Sequence, residues 1–554
     1  MATTTTLTAI AYQSSWADSA VTSAAYTITG PEINLSIAGM YLTQPIQTLN
    51  QSVPLVSNRD AFLRVFVIGN IPREIAPTVR VRFYQNATLI DTQIIAAPVS
   101  FVPTELEESL LTSSWNLMVP GTMITPGLSI LVDVDPDDTT SESDEADNSF
   151  PLSGEALSLD VREVPPFLGR LVPVVHSAFG TTGDVAAGNK ETYLDLFRKI
   201  FPLGQVDVDV RSTYTTTAVT AGGQIDWGAV LSEMYWLRFF DGSSRYYYGV
   251  LQSGYGVVGM GYVGFPVAVG WDNAEDRANT YAHELGHNFG RWHSPCGNPA
   301  NIDVNYPDPT GSIGAWGWDS ATGGLTDPST PDVMGYCEPY WVSEYTYEGV
   351  LAYREAEAAA RVWSSSARNQ PVLALWGRLS EAGVVIEPAF VVESGIAVEP
   401  APGPYTLEGL DDTGAVLFSR TFQGEEVSHS EERHFSFIIP VSEAQIDRLA
   451  ALRVHGEGRV EERRSSAPSS ASRAQALENE ARELKPQNIG GDRVRVQWDK
   501  NRFPMAVIRD PKTGEILSFA RGGDNTIATS LSEVDILLSD GIRSTTRRVR
   551  ILGR

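Results

Sequence analysis

The chain is poor in two residue types that carry chemistry: its 554 residues include two cysteines and seven histidines. The cysteines, Cys296 and Cys337, form no CxxC pair, which excludes a zinc ribbon and a thioredoxin-type redox site. No stretch is apolar over the length needed to cross a bilayer, so no integral membrane segment is expected. Positive charge is short as well. Lys and Arg number 41 against 68 Asp and Glu, and the formal net charge of −27 argues against nucleic acid or an anionic membrane as a partner. The arginines at the end of the chain (Arg543, Arg547, Arg548, Arg550, Arg554) are a local exception. Lacking interleaved aromatics, they are expected to line the solvent face of a strand. The first residues lack a basic region and a long apolar run, so no signal peptide is read there. Scarce lysine, abundant Ser, Thr and Gly, and many β-like runs nevertheless point to a secreted or extracellular protein.

The length calls for several domains. Residues 1–30, rich in Thr, Ser and Ala, read as a flexible leader. Residues 31–160 carry period-two runs such as AFLRVFVIG (Ala61–Gly69) and TVRVRFYQ (Thr78–Gln85), the pattern of half-buried strands, and are expected to form an immunoglobulin-like β-sandwich. Between 165 and 362 strand-like and helix-like segments alternate, which indicates an α/β layer. Residues 371–455 return to strands and suggest a second sandwich. Residues 456–486 read as a linker or inserted loop, and 487–554 as a small β unit or the completion of the preceding sandwich. The acidic turn after Leu128 places Asp133, Asp135, Asp137 and Asp144 at calcium-loop offsets, but Asp138 stands where that loop needs glycine. The turn is therefore expected to be a solvated acidic hairpin, with a Ca2+ loop as the alternative. The same turn, with Asp147 and Asn148 after it, resembles bacterial adhesion-related sandwich domains.

Three of the seven histidines fall in one short stretch, TYAHELGHNFGRWHSPC (Thr280–Cys296). His283 and His287 are one helical turn apart, so both imidazoles share a face, and Asp272 or Asn273 is expected to cap that helix. Glu284 sits at the edge of that face, within reach of a water on a shared metal ion. On a continuing helix His293 would point away. Gly290 can take the left-handed conformation that ends a helix and lets the third histidine swing back. Three neutral imidazoles leave a zinc ion an open position for water, the arrangement of a catalytic site. With Glu284 as general base, peptide-bond hydrolysis is the reaction these parts suit.

HELGHNFGRWH fits the pattern H-E-x-x-H-x-x-G-x-x-H and so resembles the zinc motif of the metzincin metalloendopeptidases. That resemblance implies that residues 165–362 form a central α/β metzincin-like catalytic domain; the β-sandwich domains expected on either side of it in sequence are no part of the family pattern, and the chain as a whole is multidomain. It implies one catalytic Zn2+ on His283, His287 and His293, and a methionine turn at Met334. It further implies that Tyr336 approaches the zinc or hydrogen-bonds the oxyanion, unless it only packs under the loop. The glycine-rich strand around Gly261, Tyr262 and Val263 would be the edge on which a protein or glycoprotein substrate adds a strand. Cys296 follows His293 and Cys337 follows Met334 at equal spacing, so a disulfide would tie the two loops, against two buried thiols. Trp316 and Trp318 fall where metzincins build the pocket for the residue after the cut, or else they pack. His176, His429, His434 and His455 are isolated and receive no role. The rival reading is an adhesin or glycan-binding surface protein with an inactive peptidase-like domain.

Overall fold

The computed structural model describes residues 3–28, 32–252, 254, 257–360, 370–395, 398–466 and 484–553. They fall into two compact units, residues 1–163 with 315–327, and residues 164–314 with 328–554.

In the first unit, Thr3–Ala9 and Thr22–Ile28 pair antiparallel where the sequence suggested a flexible leader. Its described side chains are exposed, so the pair is held by β-branched threonines and ladder hydrogen bonds and leaves no buried stripe for a hydrophobic pattern to show. Beyond it, a sheet of Leu35–Thr43, Ala61–Gly69 and Trp115–Val119 shares one core with a sheet built on Val79–Gln85, Thr88–Ile95 and Leu128–Val134. In the acidic turn, Asp133 is paired with Arg80 and Arg82 at 3.1 and 2.8 Å, and Asp135 accepts from Thr139 and Thr140. Two of the four carboxylates proposed for calcium are thus already engaged. The short hairpin Gly317–Asp319 with Gly324–Thr326 also belongs to this unit. Trp318 stacks on Phe62 at 3.8 Å between ring centroids, which accounts for it by packing.

The second unit is organised by a mixed sheet. Phe167–His176 pairs in parallel with Val206–Val210, Tyr214–Thr216 and Tyr246–Leu251, and the last pairs in parallel with Val267–Trp271. Gly259–Gly261 runs antiparallel on Val267–Trp271 and ends the sheet on that side. Helices α1 (Glu191–Ile200) and α2 (Trp227–Phe240) make parallel crossovers, as parallel strands require. Helix α3 (Arg277–Asn288) follows Val267–Trp271 and packs on α1 through Phe197 and Tyr281. Helix α2 is buried on nearly every face because Trp236 also meets Trp376 of the strand Gln370–Ser380. That strand pairs with Arg433–Pro440, and the sheet they form shares a core with a second, Val416–Phe422, Tyr405–Leu410, Ala451–Gly456 and Arg459–Arg464. The stretch read as a linker therefore begins with a strand. Residues 467–483 of it lie outside the described residues.

The last strands do something the sequence did not suggest. Ile516–Arg521 pairs in parallel with Tyr214–Thr216, so Met505–Arg509, Glu533–Ser539 and Ser544–Arg550 continue the central sheet instead of either sheet of residues 370–464. Parallel pairing between segments some three hundred residues apart leaves no local trace in sequence. Of the terminal arginines, Arg548 and Arg550 face outward along Ser544–Arg550, and Arg548 pairs with Asp535 at 2.9 Å. Arg543 is instead buried and donates to the carbonyls of Asp447 and Leu449, Arg547 is half-buried, and Arg554 lies outside the described residues.

Candidate metal centre

Helix α3 starts at Arg277, later than a cap at Asp272 or Asn273 would place it, because Asn273 accepts from Glu275 in a turn just before the helix. It places His283 and His287 one turn apart, both buried. It ends at Phe289. Gly290 then takes φ +78°, its N–H donates to the His287 carbonyl, and the Arg291 N–H donates to the Gly286 carbonyl. This pair of bonds is a left-handed glycine cap. It turns the chain so that His293 comes back to the same point, fully buried.

Each imidazole of the three is oriented by a carbonyl. His283 Nδ1 donates to Val333 O at 2.7 Å, His287 Nδ1 to Arg291 O at 2.7 Å, and His293 Nδ1 to Ala300 O at 2.5 Å. A carbonyl only accepts, so each ring carries its proton on Nδ1 and turns an Nε2 lone pair inward. Burial holds all three rings neutral, pushing His283 down to about 3, His293 down to about 4, and His287 well below its ordinary value. The Nε2 atom of His287 lies 3.2 Å from that of His283 and 3.1 Å from that of His293. With both Nδ1 protons spent on carbonyls, these contacts are lone pair against lone pair. Zinc–nitrogen bonds of about 2.05 Å in a tetrahedron set ligand atoms roughly 3.3 Å apart, so the three side chains fit that ion. The arrangement is also the one in which neutral imidazoles have their second nitrogen fixed by a carbonyl.

The support beneath the cluster is equally specific. Met334 is fully buried, and a Cβ on Gly286 would meet its Sδ at 2.3 Å, so helix and methionine can touch only because residue 286 has no side chain. Buried Asp332 holds this turn by accepting from Met334 N and Ser343 N, both at 2.8 Å. A disulfide joins Cys296 to Cys337, with Cα atoms 5.7 Å apart, and Tyr336 N donates to Cys296 O at 2.9 Å. The third histidine's loop and the methionine turn are thus stapled together.

Glu284 is fully buried beside the cluster. A Cβ on Gly259 would lie 2.5 Å from its Oε1, so the glycines of the edge strand make room for this carboxylate. Asn288 donates from its amide to Tyr262 O and Val267 O, tying α3 to the same edge. Tyr336 is 43% exposed, and burial of its ring together with the charge of Glu284 raises its pKa. A cavity of about 60 Å3 opens at the cluster, lined among others by Asn279, Thr280, His283, Glu284, Tyr336 and His429.

His429 is the residue that sequence reasoning missed. It lies 145 residues beyond Glu284, yet its Nε2 is 2.9 Å from Glu284 Oε1, and its Nδ1 accepts from the Tyr336 hydroxyl. The four histidines have ligand atoms within 4.8 Å of one another. Nothing around EEVSHS distinguishes this histidine from the others assigned no role, and only tertiary packing brings it here. Gly261, Tyr262 and Val263, expected as the substrate edge, are paired with this chain's own residues. Val263 N donates to Glu426 O at 3.1 Å, Ser428 N to Gly261 O at 2.8 Å, and Gly261 N to Ser428 Oγ at 2.8 Å. Ser428 Oγ also donates to Glu284 Oε2 at 3.1 Å.

The model of the peptidase M66 family matches residues 244–346, a span running from the strand Tyr246–Leu251 through α3 and the methionine turn into the first turn of α4 (Glu344–Ala360). None of the curated proteins matches the chain. Among solved structures, the CARDB domain of a Pyrococcus furiosus protein in complex with di-metal ions is 19% identical over 24% of this chain and 97% of its own, with a TM-score of 0.16. A β-glycosidase from Bacteroides vulgatus is 8% identical over 96% of this chain and 80% of its own, with a TM-score of 0.15. A Parabacteroides merdae β-glucuronidase is 9% identical over 94% and 78%, with a TM-score of 0.14. Likenesses this low carry no functional argument. The family match falls on the segment that builds the buried histidine cluster, and together they support a metallopeptidase.

Proposed function

We propose that this chain is a secreted zinc-dependent endopeptidase of metzincin type, acting on proteins or glycoproteins, with β-sandwich domains on either side of its catalytic domain. The observation that carries this reading is the convergence of three inward Nε2 lone pairs beside the buried carboxylate of Glu284. His283, His287 and His293 would hold the ion. A zinc ion there supplies a Lewis acid for the scissile carbonyl and lowers the pKa of a water to about 7. Glu284 then takes the proton of the attacking water and delivers it to the leaving amine. Tyr336 donates its hydroxyl hydrogen to the oxyanion once it is free of His429. The Cys296–Cys337 disulfide suits an oxidising compartment, and among the described residues no helix is long and apolar enough to cross a membrane.

The test is proteomic. The purified protein and its Glu284→Ala variant are incubated with a mixture of proteins and glycoproteins, with and without a chelator, and new termini are read by mass spectrometry. Termini produced only by the metal-loaded, unsubstituted protein are expected. Equal termini from the Glu284→Ala variant would reject the assignment.

A further inference from the structure

The edge strand beside the metal cluster already holds a partner, and that partner comes from the far end of the same chain. Backbone groups of Gly261 and Val263 are bonded to Glu426 and Ser428, and Tyr262 and Val427 form an antiparallel bridge. Val427 and Ser428 are buried in this contact. The contact is braced from behind, because the fully buried Tyr262 donates its hydroxyl to His434 Nδ1 at 2.9 Å, on the strand Arg433–Pro440. His429 then adopts φ +58°, a left-handed conformation uncommon outside glycine, and this turns its ring into the cluster.

The ring arrives at a particular place. The centroids of His283, His287 and His293 are 4.6–5.3 Å apart. The His429 centroid is 4.7 Å from His293 and 5.2 Å from each of the other two. Four rings at nearly equal mutual spacing mark the corners of a tetrahedron, and the ligand atoms of the four histidines lie within 4.8 Å of one another. Both oxygens of Glu284 are meanwhile in use, Oε1 by His429 and Oε2 by Ser428.

We propose that the segment Glu426–Ser430 occupies the substrate-strand position of this protein's own metal centre, with His429 as the fourth nitrogen ligand, so that this conformation is closed to substrate. The inference rests on the peptidase reading for the meaning of the edge strand. To act as a ligand, His429 gives up its Nε2–H bond to Glu284 Oε1 and turns that nitrogen's lone pair to the ion, and its ring proton moves to Nδ1, where the Tyr336 hydroxyl oxygen accepts a hydrogen bond from it. A substrate strand must displace Val427 and Ser428 to reach Gly261 and Val263, and water must displace His429. The same movement releases Oε2 of Glu284 from Ser428 and takes the His429 ring away from Oε1. Activity is then set by the fraction of molecules in which the segment has swung out.

The test uses the full chain loaded with cobalt(II), whose visible spectrum reports its ligands, and acetohydroxamate as a probe of an open coordination position. His429→Ala and the more conservative His429→Gln are compared with the unsubstituted protein, each shown to bind one metal ion. The expected result is a spectrum insensitive to acetohydroxamate in the unsubstituted protein, responsive in both variants, with peptide cleavage raised about tenfold or more. Acetohydroxamate binding equally to the unsubstituted protein would overturn the proposal. So would loss in both variants of a cleavage that the unsubstituted protein shows, because His429 would then be part of the catalytic machinery. If the probe binds only the variants and no form cleaves any peptide, the self-occlusion stands and the peptidase reading fails.

Discussion

Oε1 of Glu284 lies 2.9 Å from Nε2 of His429, although the first residue sits on α3 and the second on a turn that follows the strand Glu425–Glu426. The contact couples two parts of the second unit. The histidine cluster is held by segments near it in sequence, whereas access to it is governed by a segment that arrives from the sheet containing Arg433–Pro440.

Removing the metal should destabilise the second unit. Three buried imidazoles then keep lone pairs facing one another at 3.1–3.2 Å with no cation between them. Binding to the folded state alone contributes about 4 kcal/mol when free metal exceeds its dissociation constant about a thousandfold. Calorimetry of chelated and zinc-restored protein should show a lowered and then recovered transition. His293→Ala should be insensitive to the chelator.

Gly259→Ala should separate metal binding from catalysis. The added Cβ would meet Glu284 Oε1 at 2.5 Å, and the three atoms nearest to it all belong to Glu284. One zinc per chain should remain by elemental analysis. Cleavage should fall on the order of a hundredfold or more, the usual contribution of a placed general base.

Cys296→Ser with Cys337→Ser opens a loop whose ends are 41 residues apart. A loss of about 2–4 kcal/mol in stability is expected from the released chain entropy. Zinc affinity should fall as well, because the disulfide joins the loop after His293 to the turn that carries Met334 and Tyr336. Competition with a chromogenic chelator measures the second effect and denaturant unfolding the first.

Glu425 gives stability a pH dependence of defined sign. Burial raises its carboxyl from 4.5 to about 7, and its charge acts on Tyr235 and Tyr262. The unfolded chain releases this proton at lower pH than the folded one, so folding favours the neutral acid. Its contribution is complete below pH about 4.5 and declines as pH rises, until it is gone above about 7. Glu425→Gln should flatten that part of the stability profile, read from unfolding midpoints at pH 4.5, 6 and 8.

How much was legible depended on whether the cause was local. Gly290 could be read as a helix-ending turn because a left-handed cap is a property of a few consecutive residues, and φ +78° is found there. The alternation of Arg548 and Arg550 likewise showed in period-two text. The hairpin of Thr3–Ala9 with Thr22–Ile28 was not legible, since its exposed faces give no hydrophobic contrast. Trp318 invited a functional reading from its position between His293 and Met334, but it belongs to the first unit and stacks there on Phe62.

By itself the sequence determined the chemistry that the site can hold. A turn-spaced pair of histidines, a glutamate beside the first, a glycine able to reverse the chain and a third histidine are a local device, and helical geometry suffices to read it. Only the tertiary structure decided which Nε2 atoms face inward, because the carbonyls of Val333 and Ala300 that orient His283 and His293 come from loops outside the motif. Only it brought His429, Ser428 and Tyr336 onto Glu284, and only it filled the edge at Gly261–Val263 with a strand of the same chain. The reason is physical. Ligand type and helical spacing act over a few residues, whereas occupancy of a groove is settled by how two sheets pack, an energy spread over residues too distant to leave a pattern.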